Sequence, residues 1–261
     1  MEATRPFDPL SDLFARALLG DERNTGLLTN FINAFLTPKG LNPVISVDIL
    51  NPYNLKEYIN DKETILDVKA RDNHKRIINI EVQISTSKYF ANRSLLYWAK
   101  SYQSQLHQSE IYTKLNPVIC INIVGEPLFP ELKEHHTCFH ITEMNHPEMI
   151  LTDHLHIMFM ELSKMTFPAE ADLAFGSDFE RWCYFLKYEG YLKEDEMPVL
   201  LGDNPYIQEA HKLYTKFTAD EAMLDRLEAK EKWRRDYLSG LDESWNEGRE
   251  KGREEGREEG R

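Results

Sequence analysis

Cysteine is scarce in this chain, and positive charge is in deficit. The three cysteines, Cys120, Cys138 and Cys183, lie far apart with no Cys-x-x-Cys pair, which argues against a disulfide framework or a zinc ribbon and fits a reducing cytoplasm. No apolar run approaches the roughly 18 residues of a membrane span, and Met1-Glu2-Ala3-Thr4-Arg5-Pro6 lacks the basic and then apolar start of a secretory signal. The expected location is cytoplasmic. Lysine and arginine number 31 against 44 acids, a formal charge of −13. That balance is awkward for a protein meeting nucleic acid, because phosphate contacts ask for a basic footprint. The 261 residues suffice for one large or two small domains with a sizeable core.

What the chain does have is concentrated between Ile65 and Ile84. ILDVKARDNHKRIINIEVQI reads as a β-hairpin whose polar Arg71-Asp72-Asn73-His74-Lys75 suits a turn. Alternation puts Asp67 and Lys69 on the face opposite Leu66, Val68 and Ala70, and Glu81 and Gln83 on the face opposite Ile80, Val82 and Ile84. Two carboxylates can then meet across the strand pair. A hard divalent cation such as Mg²⁺ takes one or two carboxylates and keeps several waters, which suits phosphodiester cleavage. A plain hairpin with one wet face gives the same alternation, so the pattern by itself leaves both readings open. From Asp67 to Lys100 seven bases (Lys69, Arg71, Lys75, Arg76, Lys88, Arg93, Lys100) stand against three acids (Asp67, Asp72, Glu81), a local basic excess inside an acidic whole.

Around the hairpin the periodicity alternates between helix and strand. Ser11-Asp12 marks a helix start, followed by Leu13, Phe14, Ala17 and Leu18. A second apolar stripe runs through Leu27, Leu28, Phe31, Ile32, Phe35 and Leu36 until Pro38 and Gly40 stop it. A strand is expected over Val44 to Leu50, a long helix from Lys88 to Leu115, and a strand over Val118 to Val124 after Pro117. Helix, three strands, helix, strand is an α/β order with a crossover helix over the sheet. Further strands are expected at Thr137 to Thr142 and His154 to Leu162, and helices at Asp178 to Leu192 and Asn204 to Leu238.

Six of the nine histidines fall between His135 and His156. His154-x-His156 would share a strand face, a zinc-ligand geometry, but no cysteine or carboxylate is placed to complete the set. Beyond the amphipathic Ala219 to Leu238 lies a tail with glycine at 248, 252, 256 and 260. Each interior glycine costs a helix about 1 kcal/mol, more than the i,i+3 Glu–Arg pairs return, so the tail helix is marginal alone. Small residues at four-residue spacing do permit close helix approach. A homo-oligomer built through the C-terminal helix and tail is one reading; a solvated, frayed tail is the other.

Asp67 followed by Glu81-Val82-Gln83 resembles the signature of the PD-(D/E)XK nuclease superfamily, with Gln83 where most members have lysine. Asp12-Leu13-Phe14, Leu27 to Leu36, Asp61 to Val68, Asn79 to Gln83, then Arg93, Tyr97-Trp98, Tyr102, Tyr112 to Leu115 and Asn116 to Ile123 are similar to the recombination-promoting nuclease and transposase family within it. The resemblance implies a restriction-endonuclease-like α/β core, a mixed sheet flanked by helices, over 1–165. A helical C-terminal region over 166–240 and a low-complexity tail over 241–261 follow it. It further implies catalytic Asp67, Glu81 and Gln83, a Mg²⁺ or other divalent cation held by Asp67, Glu81 and the Val82 carbonyl, and Lys69 and Arg93 as contacts to DNA. Gln83 can neither act as a base nor carry positive charge, so its implied role is to orient water, with Lys69 a source of the missing charge. Ala15 stands where many members have lysine, and Ser109 where they often have glycine; neither removes an implied ligand. The implied activity is metal-dependent DNA cleavage in recombination or on mobile elements. The rival is a nuclease-fold protein without turnover that binds nucleic acid or self-assembles, for which Gln83 and the net acidity speak.

Overall fold

Ser11 opens the first helix as its sequence predicts: its hydroxyl accepts from the Phe14 N–H at 3.3 Å, capping α1 (Asp12–Leu19). The computed structural model describes residues 7–51, 68–84, 87–167, 176–191, 202 and 204–220, with single positions beyond. α2 (Thr25–Leu36) buries all six residues of the expected stripe, and the chain turns away through Pro38 to Gly40 at φ 70°, a left-handed conformation that glycine adopts without strain.

Six strands form one mixed sheet among the described residues: β1 (Val47–Ile49), β2 (Val68–Asp72), β3 (Ile77–Gln83), β4 (Val118–Val124), β5 (His136–Phe139) and β6 (Leu155–Glu161). Their spatial order is β1-β2-β3-β4-β6-β5. The β3–β4 and β4–β6 pairs are parallel and the other three antiparallel. α3 (Phe90–Gln103) makes the crossover from β3 to β4, as parallel neighbours require. β3 and β4 lie mid-sheet and are buried almost throughout, as strands covered on both faces are. Ile77, Val118, Cys120, Val124, Leu155, Ile157 and Phe159 pack with Phe90 beneath α3, with Trp98 and Tyr102 at the margin. Alternation turns Ile78, Ile80, Val82, Ile119, Ile121 and Ile123 to the opposite face, the side on which α1 contacts β3 and α2 contacts β1.

The hairpin turn is built by Asp72. Its Oδ1 accepts from the His74 and Arg76 N–H groups at 2.9 and 2.8 Å, and its Oδ2 meets Arg76 Nε at 2.5 Å in a buried ion pair. Lys75 takes φ 65° between them. Arg76 is thereby withdrawn from the basic surface that the local charge count suggests.

The helix expected over Lys88 to Leu115 is much shorter, Phe90–Gln103. The chain folds back because Gln105 and Asn116 clasp one another: Gln105 Oε1 accepts from the Asn116 N–H at 2.9 Å, and Gln105 Nε2 donates to the Asn116 carbonyl at 3.0 Å. Within this turn Ser109 sits at φ 71°, a left-handed conformation that glycine adopts without strain. Relieving that strain, Ser109→Gly raises the unfolding free energy by about 1 kcal/mol. Urea titration measures it, and an unchanged or lowered midpoint would contradict the account.

α4 (Asp178–Tyr188) begins with a full capping box in which Ser177 and Glu180 satisfy each other's backbone N–H groups. Its Trp182 is completely buried, lies edge-on to Phe31 at 5.0 Å, and donates through Nε1 to Asn30 Oδ1 at 2.8 Å. α4 therefore packs onto α2. Met1–Tyr214 forms one compact unit and Thr215–Arg261 a second. α5 (Pro205–Thr218) stops before Asp220, which lies outside any helix, and the described positions Asp225, Ala229 and Lys232 are helical again, so the single helix expected to Leu238 is interrupted at 219–220.

Candidate active site

β2 and β3 pair antiparallel with Val68 opposite Ile80 and Lys69 opposite Asn79, so Lys69, Asn79, Glu81 and Gln83 share the face beneath α3. Val68 is the residue after Asp67 in sequence, and Ile80 the residue before Glu81. Asp67 itself, with the segment 52–67, lies outside the described residues. The structure thus describes the Glu81 half of the expected carboxylate pair.

Glu81 occupies the carboxyl end of a central strand and its side chain is only 8% exposed. Arg93, one turn into α3, places an Nη on Glu81 Oε1 at 2.5 Å. The other carboxylate oxygen, Oε2, is buried with no hydrogen-bond partner among the described residues, and so is Arg93 Nε. Burial drives the Glu81 pKa upward, and the charge and hydrogen bond of Arg93 only partly offset it. A buried carboxylate oxygen left over from the contact with Arg93 is a hard oxygen donor of the kind a divalent metal takes, so the residue present fits such an ion. Lys69 is half-buried, and its pKa is lowered first by burial and then by Arg71. Gln83 ends β3 and is half-buried. Among the described residues no three or more His, Cys, Asp or Glu side chains converge as a ready cluster.

Beneath α3 lies a polar seam that the sequence reading overlooked. Asn79 Nδ2 donates to Ser101 Oγ at 3.0 Å, and Asn122 Nδ2 donates to Ser94 Oγ at 2.9 Å and to the Met158 carbonyl at 2.9 Å, all buried. The signal was visible. Each asparagine sits between two isoleucines, Ile78-Asn79-Ile80 and Ile121-Asn122-Ile123, and two serines recur seven residues apart on the helix that covers them.

At the same end of the sheet, the Gly125 N–H donates to the Gln83 carbonyl at 2.9 Å, and a Cβ at this position would lie 2.4 Å from the Ile84 carbonyl oxygen. Only glycine allows the strand ends to approach so closely. Gly125→Ala should cost roughly 2 kcal/mol and shift the Gln83 end of β3; a protein with parental thermal stability would show that the strands part without penalty.

Neither curated proteins nor solved structures gave a significant match to the chain. A family model described as PD-(D/E)XK nuclease family transposase matches residues 9–244. The chain belongs to this family. Its mixed six-stranded sheet flanked by helices is consistent with the restriction-endonuclease-like PD-(D/E)XK fold, and membership of the family supports a nuclease-type function for the chain.

The histidine-rich stretch does not form part of that site. His154 precedes β6 and its Nδ1 meets the Tyr102 hydroxyl at 3.0 Å, while His156 lies within the strand, its pKa lowered chiefly by burial. His136 is buried, stacked on Phe179 at 5.0 Å and edge-on to Phe35 at 6.0 Å. These are packing histidines, and the zinc reading finds no third ligand among the described residues. No helix among the described residues is long and apolar enough to cross a membrane.

Proposed function

We propose that this PD-(D/E)XK chain is a metal-dependent DNA endonuclease acting in recombination or on mobile elements. The observation that carries the reading is the buried Oε2 of Glu81 near the end of β3, without a partner among the described residues. Asp67, Glu81 and the Val82 carbonyl would hold the cation, Mg²⁺ or another divalent ion. A bound cation supplies Lewis-acid polarisation of the scissile phosphate and of a water. Gln83 orients that water by accepting and donating hydrogen bonds, since a neutral amide is too weak a base to take a proton from it. Lys69, on the same face, supplies positive charge where most relatives place lysine at the position of Gln83. Arg93 reaches a substrate phosphate, for which a guanidinium's planar donors are suited.

The test is nicking of supercoiled plasmid by the purified chain with Mg²⁺ or Mn²⁺, and with excess chelator as control. Conversion to open circles that stops with chelator is the expected result. Binding of the plasmid without conversion in either metal would favour the rival, a nucleic-acid-binding module without turnover.

Self-association through the C-terminal helix and tail belongs to the same proposal, supported by the four-residue glycine spacing and the apolar members of Ala219 to Leu238. Deleting everything after Ser239 should reduce the mass seen by light scattering to that of a smaller assembly while the sheet unit stays folded. Equal oligomeric order in the two proteins would reduce the tail to a solvated extension.

A further inference from the structure

The Glu81–Arg93 contact is incomplete on both sides. An arginine and a carboxylate ordinarily meet as a fork with two parallel hydrogen bonds. Here a short bond joins one Nη to Oε1, while among the described residues Nε lacks an acceptor and Oε2 lacks a donor. The two orphans ask for opposite partners: a cation would satisfy the carboxylate oxygen, and an anionic oxygen would satisfy the guanidinium. Their freedom also differs. Glu81 is fixed on a buried central strand, whereas the Arg93 side chain is one-third exposed and rests with Cζ 4.6 Å from the centre of the Phe90 ring. Arginine is the member that can leave.

We infer that Arg93 is an exchangeable counter-ion, which neutralises Glu81 in the metal-free protein and passes to a substrate phosphate when a divalent cation takes its place on the carboxylate. This rests on the reading of Glu81 as a metal ligand. No bond is made or broken in the exchange; one ion pair is replaced by two. The free protein therefore binds metal weakly, because each ion must displace a resident guanidinium. DNA offers that guanidinium another partner, so DNA favours metal and, by the reciprocity of linked binding, metal favours DNA to the same degree.

Mn²⁺ binding to the full-length chain without DNA, followed by the electron paramagnetic resonance of the free ion at low ionic strength, separates the possibilities. Arg93→Gln and Arg93→Ala should each bind Mn²⁺ about five-fold or more tighter than the parent, and Glu81→Gln should lose the site. The glutamine variant keeps length and polarity should the alanine variant fail to fold. In fluorescence anisotropy with a phosphorothioate duplex, Mn²⁺ should raise the parent's DNA affinity by a similar factor and leave that of Arg93→Gln unchanged. Mn²⁺ affinity unchanged or weakened in Arg93→Gln, with Glu81→Gln still losing the site, would overturn the exchange and leave the metal reading standing. Absence of Glu81-dependent Mn²⁺ binding in every protein would overturn both.

Discussion

Asp67→Ala and Glu81→Ala each reduce metal-dependent nicking on the order of 10³-fold or more, the loss expected when several kcal/mol of metal-borne transition-state stabilisation disappears. Glu81→Gln does the same and makes the protein more stable. Its neutral amide fills the same volume without placing a carboxylate where burial outweighs the help of Arg93, and the gain is about 1 kcal/mol, the usual cost of an unpaired buried polar atom. The sign follows from the raised pKa. Glu81 contributes most stability when protonated, below its unfolded value near 4.5, and loses it as pH rises through the folded value. The advantage of Glu81→Gln should accordingly be present at neutral pH and vanish in acid. Plasmid nicking and urea titration read the two effects. Cleavage at the parental rate in Asp67→Ala or Glu81→Ala would point to a contaminating nuclease or a site elsewhere.

Acid should destabilise the protein steeply through His136. Burial, reinforced by the charge of Lys39 and by His135, pulls its pKa from 6.5 down to about 3. Between those values the unfolded chain takes up a proton that the folded chain refuses. Stability is therefore lost as pH falls below 6.5, at up to 1.4 kcal/mol per pH unit for this group. From pH 7 to 4.5 the loss comes to roughly 2.5 kcal/mol. His136→Phe removes the titrating ring, keeps the stack on Phe179, and eliminates the buried Nε2 that has no partner among the described residues. Denaturant titrations at the two pH values should show the acid loss reduced by about that amount. An acid limb as steep as the parent's would place the sensitivity in other groups.

Much of the fold was legible because the signals were local. The cap at Ser11, the stripe from Leu27 to Leu36 and the apolar run Val118 to Val124 each follow from one residue's neighbours and were found where expected. The end of α3 was not legible, since the clasp between Gln105 and Asn116 that turns the chain is a pairing eleven residues apart with no periodic trace. At the site, alternation put Glu81, Gln83 and Lys69 on one face, which the register of β2 and β3 reproduces. The partnership of Glu81 with Arg93 depends on how a helix lies across a sheet, which strand periodicity does not encode. The lowered pKa of His136 was not legible either, since the burial that chiefly causes it comes from Phe35 and Phe179, far away in sequence.

The buried pairs Asn79–Ser101 and Asn122–Ser94 set the azimuth of α3. A helix resting on aliphatic side chains alone could roll by some degrees at little cost, since dispersion contacts are not directional. Two hydrogen bonds to different strands convert that shallow minimum into a notch, because any roll strands four buried polar groups at once. The helix then serves as a fixed fulcrum. Whatever Arg93 does toward Glu81 or toward a phosphate, it does by turning about its own side-chain bonds, and the reach of that lever is set by the arginine chain alone.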